Sequence, residues 1–349
     1  MPTKTVPELI EELRAIALLP PVQLEEIAST APIRFRNVSE LSSFLIQKQW
    51  LTQYQIEQLL AGRGGGLIAG KYHIKDCLGM GGTSFVYKAL DTQGGRLVAL
   101  KVIHSDLLND PEIVGRFQRE VRVLQKLSHP NIVRYYDSGN VLDAIERKNT
   151  LFLAMEFVQG TDLRKMVTAG PLQIHQACNY LVQAAQGLQH AHEHGVVHRD
   201  VKPANLFLTV PERLIKVVDM GLARAKNPNA DPAINFNITA KGGAVGTVDY
   251  LAPEQGRDAT LVDIRADIYS LGCTLYHFLT GNVPFPDKSI VMKLVKHRTE
   301  EPPAVERVRP EVPAPLAAAV RKMMAKHPEQ RFQTPAEAGE ALKPFCRST

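Results

Sequence analysis

The spacing of apolar residues divides the chain into a helical beginning, a strand-rich middle and a helical end. Apolar side chains recur at helical intervals in four segments, residues 7–19, 22–28, 39–48 and 52–60. Short apolar strands separated by glycine-rich turns follow, at residues 72–78, 84–90 and 97–103. The first 61 residues are therefore predicted to form a small helical module ahead of a β-rich region.

The later elements place one helix among the strands and most helices after them. A helix with alternating charges is predicted over residues 111–127, an apolar strand over 151–157, and long helices over 174–194 and 266–279. Strands first and helices second predict an α+β fold. We expect a small antiparallel β lobe with one key helix, joined to a larger α-helical lobe.

Local signals place the ends of the helices in the first module. Ser39 is predicted to cap the third helix, and Thr52 with Gln55 forms a capping-box pattern before the fourth. Trp50 stands between these two helices and is expected to pack at their junction. The role of this module stays open, because its apolar faces suit a partner-docking or oligomerisation unit as well as a structural brace.

A run of glycines gives the clearest domain boundary. Residues 62–66 read Gly-Arg-Gly-Gly-Gly, which predicts a flexible break. We therefore expect a helical module at 1–61, a glycine-rich linker at 62–71 and a domain at 72–345. Within that domain, the small lobe is predicted to cover 72–157 and the large lobe 158–345.

Composition narrows the class of protein. The 349 residues are 44% hydrophobic and 22% charged, as in ordinary globular proteins, and the net charge of +5 does not by itself indicate nucleic-acid binding. No apolar run approaches the length of a membrane helix, and the first residues lack a signal-peptide core, so a cytoplasmic protein is expected. The four cysteines form no Cys-x-x-Cys pair, which argues against a zinc site or a disulfide framework.

A glycine-rich turn between two predicted strands is the first candidate for ligand binding. Glycines let a backbone approach phosphates closely, but a lone motif of this kind is weak evidence and also fits an ordinary hairpin. The third glycine position holds Ser84. A strand follows the turn, whereas a dinucleotide-binding fingerprint would open a helix. The candidate residues are Leu78, Gly79, Met80, Gly81, Gly82, Ser84 and Val86.

The segment 198–205 carries the strongest chemical signal. It reads His-Arg-Asp-Val-Lys-Pro-Ala-Asn, and Asp219 follows a predicted strand at 214–218. Asp200 is a candidate base and Lys202 a phosphate-facing cation, while Asn205 and Asp219 supply oxygen ligands for a hard metal ion. Phosphoryl transfer needs this combination, because its catalysis is mostly positioning and charge neutralisation.

These motifs together resemble those of Hanks-type serine/threonine protein kinases, in the form common in bacteria. The resemblance covers about four-fifths of the chain, residues 72–345, and includes Ala252-Pro253-Glu254. It also includes residues 267–272, which resemble part of the helix that anchors the catalytic loop. Arg331 matches the late arginine that pairs with the Ala-Pro-Glu glutamate, here Glu254. The resemblance implies the two-lobed protein kinase fold and transfer of the γ-phosphate of ATP to Ser or Thr hydroxyls of proteins.

The resemblance also assigns roles to residues around the nucleotide. It pairs Lys101 with Glu120, makes Asp200 the acceptor of the hydroxyl proton, and makes Asn205 and Asp219 ligands of Mg²⁺, with Mn²⁺ as a possible substitute. The adenine ring is expected to lie among Val86, Ala99, Met155, Glu156, Val158 and Phe207. Met220 replaces the usual Phe of the Asp-Phe-Gly motif and can still fill an apolar slot.

Regulation is the last expectation that the resemblance carries. Arg199, together with Arg224, is expected to face a phosphorylated residue between Asp219 and Glu254. Thr239 is the preferred autophosphorylation site, which implies self-association for transfer between molecules, and Thr247 is more suited to contacting the catalytic loop.

Two other classes of protein remain for comparison. A kinase-fold scaffold with little turnover would be favoured by the loss of a charged catalytic residue, but Lys101, Asp200 and Asp219 are all present. A small-molecule kinase of the aminoglycoside type would lack both Ala-Pro-Glu and the long segment that precedes it.

Overall fold

The computed structural model describes residues 4–142, 149–220, 248–256 and 262–347. The chain divides into two compact units. One unit comprises Met1–Val114 and Tyr135–Phe157, and the other comprises Gly115–Arg134 and Val158–Thr349. Among the described residues, no helix has both the length and the apolar character that crossing a membrane requires.

Four helices open the first unit, and their ends differ from the predicted ones. They are α1 (Val6–Ala15), α2 (Pro21–Arg34), α3 (Val38–Gln47) and α4 (Gln53–Leu60). The first helix ends four residues early, because Ala17 takes a left-handed φ of 51° that a helix cannot continue through. The second begins at Pro21, since a proline at the first helical position has no N–H to satisfy.

Capping explains the start of the next two helices. The cap of α3 is Asn37, not the predicted Ser39, because the Asn37 side chain accepts the N–H of Glu40. The capping box of Thr52 and Gln55 at the start of α4 is confirmed. Trp50 packs edge-on against Phe44 at the junction of these helices, with ring centroids 5.8 Å apart.

The glycine-rich segment is not the flexible break that its composition predicts. Residues Gly64–Leu67 form a short 3-10 helix in which Gly64, Gly66 and Leu67 are buried. A Cβ atom on Gly64 would lie 2.8 Å from Leu59 Cδ2 and 2.5 Å from a carboxylate oxygen of Glu12. Glycine is therefore needed here for close packing, and the domain boundary at 62–71 stays a prediction.

A six-stranded antiparallel sheet completes the first unit. Its strands are β1 (Ile68–Ala69), β2 (Tyr72–Met80), β3 (Ser84–Asp91), β4 (Arg96–Ile103), β5 (Tyr135–Leu142) and β6 (Asn149–Glu156), in the order β1-β2-β3-β4-β6-β5. The sequence pattern did not indicate β1 or β5. Polar and glycine residues interrupt β5, which lies at an edge of the sheet, where one side of a strand needs no ladder partner.

The two faces of this sheet have different neighbours. Val98, Leu100 and Val102 on β4 are at most 2% exposed, whereas Ala99 and Lys101 between them are half-buried. The buried face shares one hydrophobic core with α1–α4, to which the helices contribute residues such as Leu9. The four helices therefore pack with the face of the sheet opposite to Lys101.

The second unit is mainly helical, as predicted. The helix α5 (Pro111–Leu124) crosses from the first unit into it and ends three residues before the predicted end. The other helices are α6 (Leu163–Thr168), α7 (Ile174–Glu193), α8 (Arg265–Thr280), α9 (Ile290–Thr299), α10 (Val305–Val308), α11 (Ala314–Met323) and α12 (Pro335–Leu342). A small antiparallel sheet of β7 (Gly160–Asp162), β8 (Leu206–Thr209) and β9 (Ile215–Val217) carries the segments that lead to the candidate site.

Candidate active site

The glycine-rich turn joins β2 to β3 in the first unit. The Gly81 N–H donates to the Ser84 carbonyl at 2.8 Å, which closes the turn. His104, directly after β4, holds the same turn from outside: its N–H donates to the Thr83 carbonyl at 3.0 Å and its Nε2 lies 3.0 Å from the Gly81 carbonyl. Ser84 is buried at the start of β3, so its side chain belongs to the packed base of the turn.

Strand register aligns the nucleotide candidates of the first unit on one face of the sheet. Gly79 opposes Val86, and Val86 opposes Lys101, across β2, β3 and β4. Ala99 opposes Met155 across β4 and β6. Directly opposed residues of antiparallel strands point to the same face, so these five positions share one face of the sheet. On this face Gly79 is exposed and Met155 is buried, while the other three residues are half-buried. The predicted glycine, apolar and lysine positions of this unit are thus brought together.

In the second unit, two predicted catalytic side chains meet one predicted metal ligand. Lys202 Nζ donates to Asp200 Oδ2 at 2.8 Å. The amide of Asn205 donates both to the Asp200 main-chain carbonyl at 2.8 Å and to Asp200 Oδ2 at 3.1 Å. The Asp200 side chain keeps 27% of its surface exposed, so one carboxylate edge can meet a substrate. This arrangement fixes the carboxylate between a cation and an amide donor.

Buried groups hold the backbone of this loop in place. Asp267, near the start of α8, is wholly buried and accepts the N–H of His198 at 2.8 Å and that of Arg199 at 2.7 Å. Burial raises the pKa of this carboxyl, and the nearby imidazole and the two N–H donors oppose that rise. Arg199 has a left-handed φ of 66°, a strained conformation that these bonds support.

His198 connects the loop to the segment before Asp219. Its Nδ1 accepts the Asp200 N–H at 3.2 Å, and its Nε2 lies 3.0 Å from the Val218 carbonyl. The strand β9 pairs with β8, and its Val217 also forms a parallel β-bridge with Ile132. Two neighbouring segments therefore hold the backbone that precedes Asp219. Asp219 is exposed with a φ of 50°, and Met220 is 1% exposed, which confirms that methionine fills an apolar slot.

The late arginine pairs with the Ala-Pro-Glu glutamate, as predicted. Arg331 donates through both terminal nitrogens to Glu254, at 2.6 and 2.9 Å. The Arg331 side chain is fully buried, and its remaining hydrogen bonds go to the carbonyls of Ala325, Arg265 and Lys326. A guanidinium offers several donors in a rigid plane, so it can bind a carboxylate and three carbonyls at once.

The structure describes the other predicted site residues within their separate units, and their joint action stays a prediction. Leu78 and Met80 are exposed at the end of β2, and Glu156 closes β6. Val158 and Phe207 are half-buried residues of the second unit. Glu120 is half-buried on α5 and belongs to the second unit, whereas Lys101 belongs to the first, so their ion pair remains an expectation.

The predicted regulatory residues lie mostly outside the described residues. Arg224, Thr239 and Thr247 all belong to the undescribed segment 221–247. Arg199 is described, and burial lowers the pKa of its guanidinium, with the Asp267 charge opposing this shift. Its predicted role in holding a phosphorylated residue is therefore neither confirmed nor contradicted.

Comparison with known proteins identifies the family. A family model described as the protein kinase domain matches residues 72–342. The chain belongs to the protein kinase family. The match covers the glycine-rich turn, the 198–205 loop and the Glu254–Arg331 pair, and leaves the four N-terminal helices outside it.

Bacterial serine/threonine kinases are among the relatives of this chain. It is 40% identical over 272 residues to the serine/threonine-protein kinase PknB of Mycolicibacterium smegmatis, and 38% identical over 271 residues to PrkC of Bacillus subtilis. Each alignment covers 77% of this chain but only 42% and 40% of these relatives, respectively. The kinase domain of Mycobacterium tuberculosis PknI has a similar solved structure, with a TM-score of 0.60, 29% identity, and coverage of 80% of this chain and 98% of that one.

Sequence reasoning missed two residues that position the site. His104 was not indicated because its partners, Gly81 and Thr83, are carbonyls whose position depends on strand register. Gln255 follows Ala-Pro-Glu, and its side chain donates to the Arg199 carbonyl at 2.8 Å. Only its position directly after a matched motif could have suggested it.

Proposed function

We propose that this chain transfers the γ-phosphate of ATP to serine and threonine hydroxyls of protein substrates. The observation that carries the proposal is the Asp200 carboxylate held by Lys202 and Asn205 at hydrogen-bond distance. A positioned carboxylate beside a cation is the local chemistry that hydroxyl phosphorylation needs. The family match and the two serine/threonine kinase relatives support the same reaction.

In the proposed reaction, Asp200 orients the substrate hydroxyl and accepts its proton. The hydroxyl oxygen forms a bond to the γ-phosphorus while the bond from that phosphorus to the bridging oxygen breaks, and ADP leaves. Lys202 neutralises negative charge on the transferred group. On the first unit, Lys101 and the glycine-rich turn bind the phosphates, and Ala99, Val86 and Met155 contact the adenine.

The donor set of the second unit suits a hard divalent cation. The Asn205 amide nitrogen is committed to Asp200, which leaves the amide oxygen as the ligand atom, and Asp219 adds an exposed carboxylate. Oxygen ligands of this kind match Mg²⁺. Bound there, Mg²⁺ would neutralise charge on the phosphate oxygens of ATP. Asn205 and Asp219 are the residues that we propose to hold it.

Activation is proposed to require phosphorylation between Asp219 and Glu254, with Thr239 as the preferred site. A phosphate carries about −1.5 to −2 charges at pH 7 and can order a segment through arginines. Arg199 directly precedes Asp200, so an arginine–phosphate contact there would act on the backbone of the catalytic loop. Transfer between two molecules of this chain is the proposed route.

The first experiment compares wild-type chain with Asp200→Asn, using ATP, Mg²⁺ and dephosphorylated casein. Loss of the proton acceptor is expected to lower kcat by about a hundredfold or more. Asp287→Asn is the matched control. Asp287 also pairs with a lysine at 2.9 Å, but that lysine is Lys296 on α9 and lies outside the catalytic loop. Equal activity of Asp200→Asn and wild type, with both folded, would refute the assigned role.

A further inference from the structure

A buried ion pair lies outside the catalytic residues. Asp249, in the short turn Val248–Tyr250, is 9% exposed, and Lys293 on α9 is 6% exposed. Their charged groups are in direct contact. Burial raises the pKa of the Asp249 carboxyl, and the Lys293 ammonium opposes that rise. Such pairs add little stability over an apolar replacement, because both ions lose their hydration, which favours a geometric role for this one.

Among the described ion pairs, Lys293 is the cation that contacts Asp249. His297, one turn further along α9, is 1% exposed, and burial lowers its pKa to about 3, so it is neutral at pH 7. The Tyr269 hydroxyl lies 2.9 Å from His297 Nδ1. The Lys326 ammonium donates to the His297 carbonyl at 3.1 Å and lies 5.9 Å from the centroid of the Tyr269 ring, so it belongs to the same cluster. The side chains around His297 on α9 thus form a packed polar cluster.

The same aromatic ring links this cluster to the Ala-Pro-Glu region. The Arg331 guanidinium lies 4.9 Å from the centroid of Tyr269, and it pairs with Glu254. The segment 248–256 is therefore fixed near its beginning by Asp249 and near its end by Glu254. Both attachments are ion pairs to largely buried cations, Lys293 and Arg331.

This segment is bonded to the catalytic loop. Gln255 donates to the carbonyl of Arg199 at 2.8 Å, and Arg199 is the residue before Asp200. Tyr250, next to Asp249, lies with its hydroxyl 2.7 Å from His277 Nδ1 on α8. The segment is thus bonded to the residue that precedes the proposed proton acceptor, so we expect an acceptor protein to lie beside it when its hydroxyl reaches Asp200. The position of the turn Val248–Tyr250 therefore affects the approach of the acceptor more than the binding of ATP.

We propose that the Asp249–Lys293 pair positions the turn Val248–Tyr250 for binding of the protein acceptor. Asp249 and Lys293 are then positioning residues that act on acceptor affinity through the turn. The proposal rests on the phosphotransfer function proposed above. It assigns to α9 a function that none of the sequence motifs indicated.

The test is steady-state kinetics of Lys293→Met, with casein and ATP varied separately. The KM for casein is expected to rise at least about tenfold, since small displacements of positioning groups have effects of this size. The KM for ATP is expected to stay within about twofold, because the nucleotide residues are elsewhere, and Lys293→Arg should restore most of the casein affinity. Lys296→Met is the matched control on the same helix, since it removes a partly exposed pair with Asp287.

A second variant keeps the test valid if Lys293→Met fails to fold. The double variant Asp249→Asn/Lys293→Met leaves no unpaired buried charge and should fold, yet it should still bind casein more weakly. Fluorescence anisotropy with labelled casein measures this binding without turnover. Absence of phosphate transfer by wild type would refute the proposed function alone. A folded double variant with wild-type casein affinity, or an equal rise of both KM values in Lys293→Met, would overturn the positioning role.

Discussion

At the scale of single residues, Arg331 combines a fully buried charge with five hydrogen bonds. Its side chain is fully buried and bonds to Glu254 and to three carbonyls. The Glu254 side chain is only 16% exposed, so it cannot regain full hydration if the arginine is lost. The cost of losing the arginine is therefore the cost of leaving Glu254 and the carbonyls without donors.

We predict that Arg331→Met lowers the free energy of unfolding by about 3–5 kcal/mol, the range for removing one partner of a buried pair. Urea denaturation followed by circular dichroism measures this change. Arg321→Met is the control: Arg321 pairs with Glu306 at 2.5 Å, but with 51% and 36% of the two side chains exposed, so its loss should cost less than about 1 kcal/mol. Similar losses in the two variants would contradict the assigned role of burial.

The residue scale also shows what a sequence can and cannot reveal about a site. Asp200, Lys202 and Asn205 lie within six consecutive positions, so their meeting in space follows from one short loop. His104 and Gln255 contact main-chain carbonyls, which carry no residue identity and leave no pattern in the sequence. The Asp249–Lys293 pair joins residues 44 positions apart by their numbering, and neither lies in a spacing that indicates the other.

At the scale of elements, the four N-terminal helices form part of the packing of the six-stranded sheet. Buried residues of α1, α3 and α4 belong to one hydrophobic core with residues of β2, β3 and β4. Polar contacts add to this core: Gln55 on α4 is fully buried and donates to the Ile74 carbonyl on β2 at 2.7 Å. Of the two roles that the sequence left open, this packing favours a structural brace.

We predict that Gln55→Leu lowers the free energy of unfolding by about 1–3 kcal/mol, because the Ile74 carbonyl and the Thr52 N–H lose a buried partner. Chemical denaturation of the full chain measures the loss. Gln53→Leu on the same helix is the control, since Gln53 is exposed and bonds only to Glu57 in the described contacts. A Gln55→Leu chain as stable as wild type would contradict the brace.

The elements themselves were predicted unevenly, for physical reasons. The long helices α7 and α8 were found nearly to the residue, because each carries apolar residues over many turns. The glycine run at 62–66 was interpreted as flexible, since the neighbours that bury Gly64 come from α1 and α4 and are invisible to local composition. The strand β5 was missed because its polar and glycine residues interrupt the apolar pattern.

At the scale of the whole molecule, each compact unit contains one part of the proposed catalytic set. The glycine-rich turn and Lys101 belong to the first, and Asp200, Asn205 and Asp219 to the second. Neither part alone supplies both the phosphate-binding and the proton-accepting groups. The proposed reaction therefore depends on the stability of both units.

Acid should destabilise the fold through His297, which is buried, and His277, which is half-buried. Burial lowers the pKa of His297 to about 3 and also lowers that of His277, so the unfolded chain binds more protons below its own value of about 6.5. The contribution of these histidines to the free energy of unfolding is then fully present above about pH 6.5. It falls as the pH drops towards 3, by at most about 1.4 kcal/mol per pH unit for each histidine.

Urea denaturation at a series of pH values between about 7 and 5 measures this dependence. His297→Asn should show a shallower loss of stability on acidification than wild type, since one neutral buried imidazole is gone. His327→Asn is the control, because that side chain is 67% exposed. An unchanged pH dependence in His297→Asn would contradict the assignment.

The central claim is phosphate transfer to Ser or Thr hydroxyls, and the most direct test is mass-spectrometric mapping of phosphate on the chain after incubation with ATP and Mg²⁺. The account predicts phosphoserine or phosphothreonine in wild type, with Thr239 or a neighbouring residue modified, and none in Asp200→Asn or Lys101→Met. Phosphate at equal levels in these folded variants, or an unmodified wild-type chain that binds ATP and also leaves casein unmodified, would contradict it.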